Sequence, residues 1–163
     1  MRLPRIILLI LVGIFIAQMS YYYVNLPEQV ASHFDGAGIP NGWMSKSTFV
    51  IFELFLLIFV VGQFMFVPRL IEKMPDSLIN LPNKKYWLAA ERRSEAFSII
   101  RIYFEWFSVG LLILFIAINQ LVFRANLNHE NLSNKEAWVI IGMFLAFVAV
   151  WLISLVRKFR NPR

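Results

Sequence analysis

The chain has 163 residues, of which 59% are hydrophobic and 16% charged, with no cysteine and a formal charge of +6. Soluble domains average roughly 45–50% apolar and about 25% charged residues, so this composition excludes an ordinary water-soluble globule. The missing cysteines exclude a disulfide framework, a thiolate nucleophile and any cysteine-ligated metal or iron–sulfur cluster.

Four apolar blocks follow one another, at about 6–24, 48–67, 102–123 and 137–156. Each is close to the ~20 residues that carry a helix across ~30 Å of hydrocarbon. The pattern predicts an all-α integral membrane protein of four transmembrane helices, with residues 1–163 as a single polytopic domain. Arg2 and Arg5 precede the first block, as in a signal peptide, but that block is long and no convincing small-x-small cleavage site follows Ala17. A retained anchor is expected.

The basic residues set an orientation. Arg2, Arg5, Arg69, Lys73, Lys84, Lys85, Arg92, Arg93, Arg101, Arg157, Lys158, Arg160 and Arg163 fall on one side of the spans, against Lys46, Arg124 and Lys135 on the other. Cytoplasmic flanks are enriched in Lys and Arg. Both termini and the 68–101 connection are therefore expected in the cytoplasm, and the 25–47 and 124–136 loops outside. Tyr21, Tyr22, Tyr23 and Trp43 suit an outer aromatic belt, and Tyr86 and Trp87 an inner one. The basic residues flank apolar segments rather than forming an aromatic-interleaved patch, which argues against nucleic acid as a partner.

The loop from 25 to 46 is dense in turn residues. Asn25 is a candidate helix cap, with Pro27 and Glu28 in a first turn, and Leu26, Val30 and Phe34 recur at four-residue spacing. A short interfacial helix is expected, broken by Gly36, Gly38, Pro40, Asn41 and Gly42, before Ser45 or Ser47 caps the second span. Such a helix-turn loop is ordered rather than a loose tether. His33, Asp35, Trp43 and Lys46 on it, with Glu53 just inside the second span, are the candidate residues for ligand or partner recognition.

The residues Leu26, Pro27 and Glu28, then His33 and Phe34, Gly38, Gly42 and Trp43, and Ser45 and Lys46 carry a resemblance. In this order they are similar to the signature of the domain of unknown function 1648 family, over the first two spans and their loop. That domain forms the amino-terminal part of the SdpI-like membrane proteins of bacteria, whose best-known member confers immunity to a secreted peptide toxin and signals by holding a repressor at the membrane. The resemblance implies a bacterial inner-membrane location and an immunity or signalling role without catalysis, and it implies no cofactor.

On the inner side, Asn83 is a candidate cap for a helix that the run from Ala89 to Ala96 would carry without a break into the third span. Lys84, Lys85, Arg92 and Arg93 on it are expected to contact anionic lipid at the cytoplasmic face or a protein partner. Asn, Leu and Pro recur at 25–27 and 80–82, too short a match to mark a duplication.

Ionisable residues inside apolar runs are costly enough to suggest function. Glu105 lies one turn from Arg101 and is expected to form a structural ion pair with it at i and i+4. Glu53 has no neighbour in sequence to pair with, which makes it the strongest single candidate for binding or proton handling. Gln18, Gln63, Asn119 and Gln120 suit hydrogen bonds between helices.

Both histidines, His33 and His129, fall in outer loops. With Asp35 they define an alternative reading, a metal-dependent membrane enzyme, although no His-x-x-x-His spacing supports a metal. No phosphate-binding loop, dinucleotide fingerprint, nucleophile elbow or His-Glu-x-x-His helix is present. The favoured reading is a non-enzymatic membrane protein that needs no cofactor and recognises a peptide ligand outside or a protein partner within the membrane. A third reading is an accessory subunit of a larger membrane complex.

Overall fold

A computed structural model describes residues 2–161; Met1, Pro162 and Arg163, the last of the basic flank, lie outside the described residues. The elements run α1 (Leu3–Tyr23), β1 (Gln29–Phe34), β2 (Pro40–Ser45), α2 (Lys46–Glu72), α3 (Lys84–Trp87), α4 (Arg93–Asn128) and α5 (Asn134–Arg160), with a 3-10 turn at Asp76–Leu78. Four helices, α1, α2, α4 and α5, are long and apolar enough to cross a membrane. The chain is a multi-pass membrane protein.

The helices exceed the apolar blocks because helix and hydrocarbon need not end together. At ~1.5 Å per residue α4 is about 54 Å long, well beyond ~30 Å of hydrocarbon. It is also the hub of the bundle: α1, α2 and α5 each pack on α4, while α1 and α2 meet only weakly. The main core lies where α1, α2 and the hairpin close on α4, around Phe15, Val30, Phe49, Leu112 and Phe123. Tyr22 stacks on Phe123 with ring centroids 4.6 Å apart.

Three of the polar residues that α4 buries fall on one heptad series, with Leu112 among them. Glu105, Leu112, Asn119 and Asn126 follow at seven-residue intervals, and all four are buried. Seven residues are close to two helical turns, so the four share one face. Glu105 and Asn126 are about 30 Å apart along the axis, the thickness of the hydrocarbon, and Asn119 lies about 10 Å inside Asn126.

Arg2 and Arg160, near the two limits of the described residues, lie at the same end of the bundle. Arg5 Nε and Nη2 reach Glu105 Oε1 at 2.7 and 2.6 Å, and Arg2 donates to Ser98 Oγ at 3.1 Å. The expected pairing of Arg101 with Glu105 is not formed. Glu105 is taken by Arg5 of α1, and Arg101 Nη1 instead donates to Glu72 Oε2 at 2.6 Å. Burial of Glu105 on the face toward α1 brings a better donor than its own helix supplies.

The expected continuous helix from Asn83 into α4 is also corrected. Asn83 adopts a left-handed conformation (φ 53°) and its side chain caps nothing in α3. The chain turns between Leu88 and Arg92, which lets Trp87 and Leu88 bury against Phe97 and Phe159. Helix propensity over 89–93 is a weak preference beside that burial. Trp87 is accordingly a core residue, 3% exposed, rather than part of an aromatic belt.

Candidate functional site at the hairpin end

The segment between α1 and α2 is a β-hairpin, not the expected interfacial helix. β1 and β2 pair antiparallel, with Val30 opposite Met44, Ala31 opposite Trp43 and Phe34 opposite Pro40, and with irregularities on either side of His33. Four-residue spacing of Leu26, Val30 and Phe34 fits a strand as well as a helix, because positions 30, 32 and 34 share a strand face. The turn decides between them. Asp35 Oδ1 accepts the amides of Ala37 and Ile39 at 2.8 and 2.9 Å, and Asp35 N donates to Ile39 O at 2.9 Å. An aspartate that closes a five-residue loop in this way favours a hairpin.

Two glycines permit the hairpin to dock. Gly38 has φ +80°, and a Cβ there would collide with the carbonyl of Leu132; its own carbonyl accepts Leu132 N at 2.9 Å. A Cβ on Gly42 would lie 3.0 Å from His33 Cβ, directly across the ladder. Asn134 Nδ2 adds a bond to Gly36 O at 2.6 Å. The loop tip is thereby fixed to the α4–α5 connection.

A two-stranded sheet has two open edges, and β1 needs partners for the groups that face away from β2. Asn126, near the end of α4, supplies them. Its Oδ1 accepts Ala31 N at 2.7 Å and its Nδ2 donates to Ala31 O at 3.0 Å and to Val122 O at 2.9 Å. The side-chain amide thus stands in for the peptide group of a third strand.

The five residues singled out for recognition divide accordingly. His33 Nδ1 is bonded to Asn41 Oδ1, and Asp35 organises the turn. Lys46 donates to Leu26 O at 3.2 Å, pairs with Glu28 at 3.3 Å and lies over the Tyr23 ring, while Ser45 caps α2 by accepting Thr48 N at 3.2 Å. These three candidates hold the loop together. Trp43, in contrast, is 58% exposed. Glu53 is buried within the bundle, where Oε2 accepts Asn119 Nδ2 at 2.9 Å. Nearby on α4, Gln120 accepts from Gln18 at 3.0 Å and donates to Tyr22 Oη at 2.5 Å.

Trp43 stands at the lip of a cleft of about 280 Å³ between the hairpin and the end of α4. Gln29, Phe34, Asn126, His129, Glu130 and Asn131 also line it, mixing an apolar floor with amide, imidazole and carboxylate groups. His129 terminates α4 in a left-handed conformation (φ 55°). Asn131 was not singled out by sequence, because nothing in a short polar connection marks which residues the hairpin will face.

The triad of His33, Asp35 and His129 is not assembled into a metal site. His129 lines the cleft, whereas His33 is engaged by Asn41, and no group of three His, Asp or Glu side chains among the described residues is placed to hold a metal. At the opposite end, Arg93 bonds to Asp76 and to Glu72 O, and Arg92 stacks on Tyr86 at 4.1 Å, so both serve the fold. Lys84 and Lys85 form no ion pair among the described residues.

The profile of one protein family, the domain of unknown function (DUF1648), matches residues 6–60. Neither a curated protein nor a solved structure matches the chain. The matched span covers nearly all of α1, the whole hairpin and the first half of α2, including Trp43 and Glu53. Over residues 6–60, about a third of the chain, the protein is thus similar to the domain of unknown function (DUF1648) family.

Proposed function

We propose that the protein is a non-enzymatic recognition protein of a bacterial inner membrane, which binds a peptide ligand at its hairpin, with both termini in the cytoplasm. The observation that carries this reading is the exposed Trp43 beside a mixed polar and apolar cleft, on a hairpin braced by Asn126, Leu132 and Asn134. A braced strand pair with an exposed aromatic is suited to recognition, because little conformational entropy remains to be lost on binding. Aromatic side chains are frequent binding anchors. The excess of Lys and Arg at the end that holds the termini supports the cytoplasmic assignment of that end.

The resemblance to the SdpI-like proteins makes immunity to a secreted peptide toxin the concrete version. In it, Trp43 and the cleft residues Glu130 and Asn131 touch the peptide. Glu53, bonded to Asn119 two turns below Asn126 on α4, links the hairpin to the bundle interior. Sensitive cells that express the chain should survive a secreted peptide toxin that kills cells without it. Trp43→Ala and Glu130→Ala should abolish survival at an unchanged level of protein in the membrane. Equal killing with and without the chain, or full protection by both variants, refutes the reading.

A further inference from the structure

Among the described residues, the segments that meet at the terminal end carry twelve Lys and Arg against five carboxylates, and the fold commits three of these cations to ion pairs. Arg5, Arg93 and Arg101 are bound to Glu105, Asp76 and Glu72. Lys84 and Lys85 of α3 and Arg157, Lys158 and Arg160 of α5 pair with no carboxylate among the described residues. Lys85, Arg157, Lys158 and Arg160 are exposed.

More than seventy residues of sequence separate the two halves of this latter set, and specific bonds join them. Asn83 Nδ2 donates to Phe159 O at 3.2 Å and to Arg160 O at 2.7 Å, and Trp87 Nε1 donates to Phe159 O at 2.8 Å. The Trp87 and Phe159 rings pack edge to face with centroids 5.2 Å apart. An open depression of about 730 Å³ lies between 80–83 and Arg160. The clamp tethers the two basic elements to each other, and a bound anion would offset the repulsion among their charges. Their depth selects that anion: α5 is apolar up to Val156 and turns basic at Arg157, so the cluster sits where hydrocarbon gives way to headgroups.

We propose that α3 and the last turn of α5 form a binding surface for the phosphate headgroups of anionic phospholipids, centred on Lys85, Arg157, Lys158 and Arg160. Trp87 and Phe159 are the buried rivet that keeps the two basic elements in register. Arg92 and Arg93 take no part, being held by Tyr86 and Asp76.

The test is native mass spectrometry of the full-length protein in detergent, titrated with phosphatidylglycerol or with phosphatidylcholine of the same acyl chains. The wild-type protein should bind phosphatidylglycerol at least tenfold more tightly. Lys85→Gln should lower that affinity by about fivefold, and the triple variant Arg157→Gln, Lys158→Gln, Arg160→Gln by well over tenfold, with phosphatidylcholine binding unchanged. The control Arg69→Gln, Lys73→Gln, at the same end of the bundle, should keep the wild-type preference. No preference in the wild type, an intact preference in the triple variant or an equal loss in the control overturns the proposal. Displacement of phosphatidylglycerol by inorganic phosphate alone would mark a free-anion site and overturn it too.

Discussion

Replacing Asn126 with alanine tests whether a single side-chain amide holds the hairpin on the bundle. The exchange removes three bonds, but they do not count equally. Val122 O is a helical carbonyl with a backbone donor of its own, whereas Ala31 N and Ala31 O on the open edge of β1 depend on Asn126. A buried polar group left unsatisfied costs ~1–3 kcal/mol. Asn126 and Ala31 both line the cleft, so water can reach the vacated groups and the low end of that range applies. Two such groups give about 2 kcal/mol, close to a thirtyfold change in the opening equilibrium. Hydrogen exchange in nanodiscs should therefore show the amides of 29–34 exchanging about thirtyfold faster in Asn126→Ala, with the middle of α4 unchanged. Asn126→Asp should be no better, since a carboxylate keeps the acceptor for Ala31 N but faces Ala31 O without a donor. Exchange within twofold of wild type in Asn126→Ala would refute the assignment of Asn126 as the missing strand.

Further expectations concern the ion pair, the turn, the interior carboxylate and the orientation. Arg5→Ala leaves Glu105 in the core with no cation; because Arg5 is itself partly exposed, the loss should be about 1–3 kcal/mol, below that of a fully buried pair, and Glu105→Gln in the same chain should restore part of it in thermal unfolding. Gly38→Ala should destabilise the hairpin by at least 1–2 kcal/mol, read as faster proteolysis in the 35–39 loop, since φ +80° strains any side chain and Leu132 O blocks the Cβ. Asn119→Leu leaves Glu53 Oε2 without its donor and should lower thermal stability by about 1–3 kcal/mol, whereas Glu53→Gln keeps an acceptor for Asn119 and should be milder. The chain has no cysteine, so a single Ala37→Cys at the exposed hairpin tip can be labelled alone. A membrane-impermeant maleimide should label it in intact cells and leave Arg160→Cys unmodified; the reverse pattern would invert the topology.

Periodicity was informative where one signal dominated and ambiguous where two competed. Long apolar runs admit one solution, because a backbone in hydrocarbon must satisfy its own hydrogen bonds, and the four membrane-spanning helices follow from that rule. The segment 25–46 was legible as ordered but not as a hairpin, since Leu26, Val30 and Phe34 satisfy both periods. The glycines at 36, 38 and 42 read as turn residues and Asp35 as a recognition residue, and together they carry the information that separates a hairpin from a helix. Of the recognition candidates, His33, Asp35 and Lys46 stood out because their chemistry is distinctive, yet each is consumed in bracing the loop.

Composition and the order of residues along the chain determined the number of membrane-spanning helices, the even return of both termini to one end and the segregation of basic residues to that end. These depend on the cost of placing polar groups in hydrocarbon, which acts on each segment by itself. Tertiary structure alone decided which partner each polar group took: Arg5 for Glu105, Glu72 for Arg101, Asn119 for Glu53 and Asn126 for the edge of β1. Those choices depend on the placement of α4 at the centre of the bundle. A pairing between elements 29 to 100 residues apart is set by how their surfaces fit, and no local spacing records it.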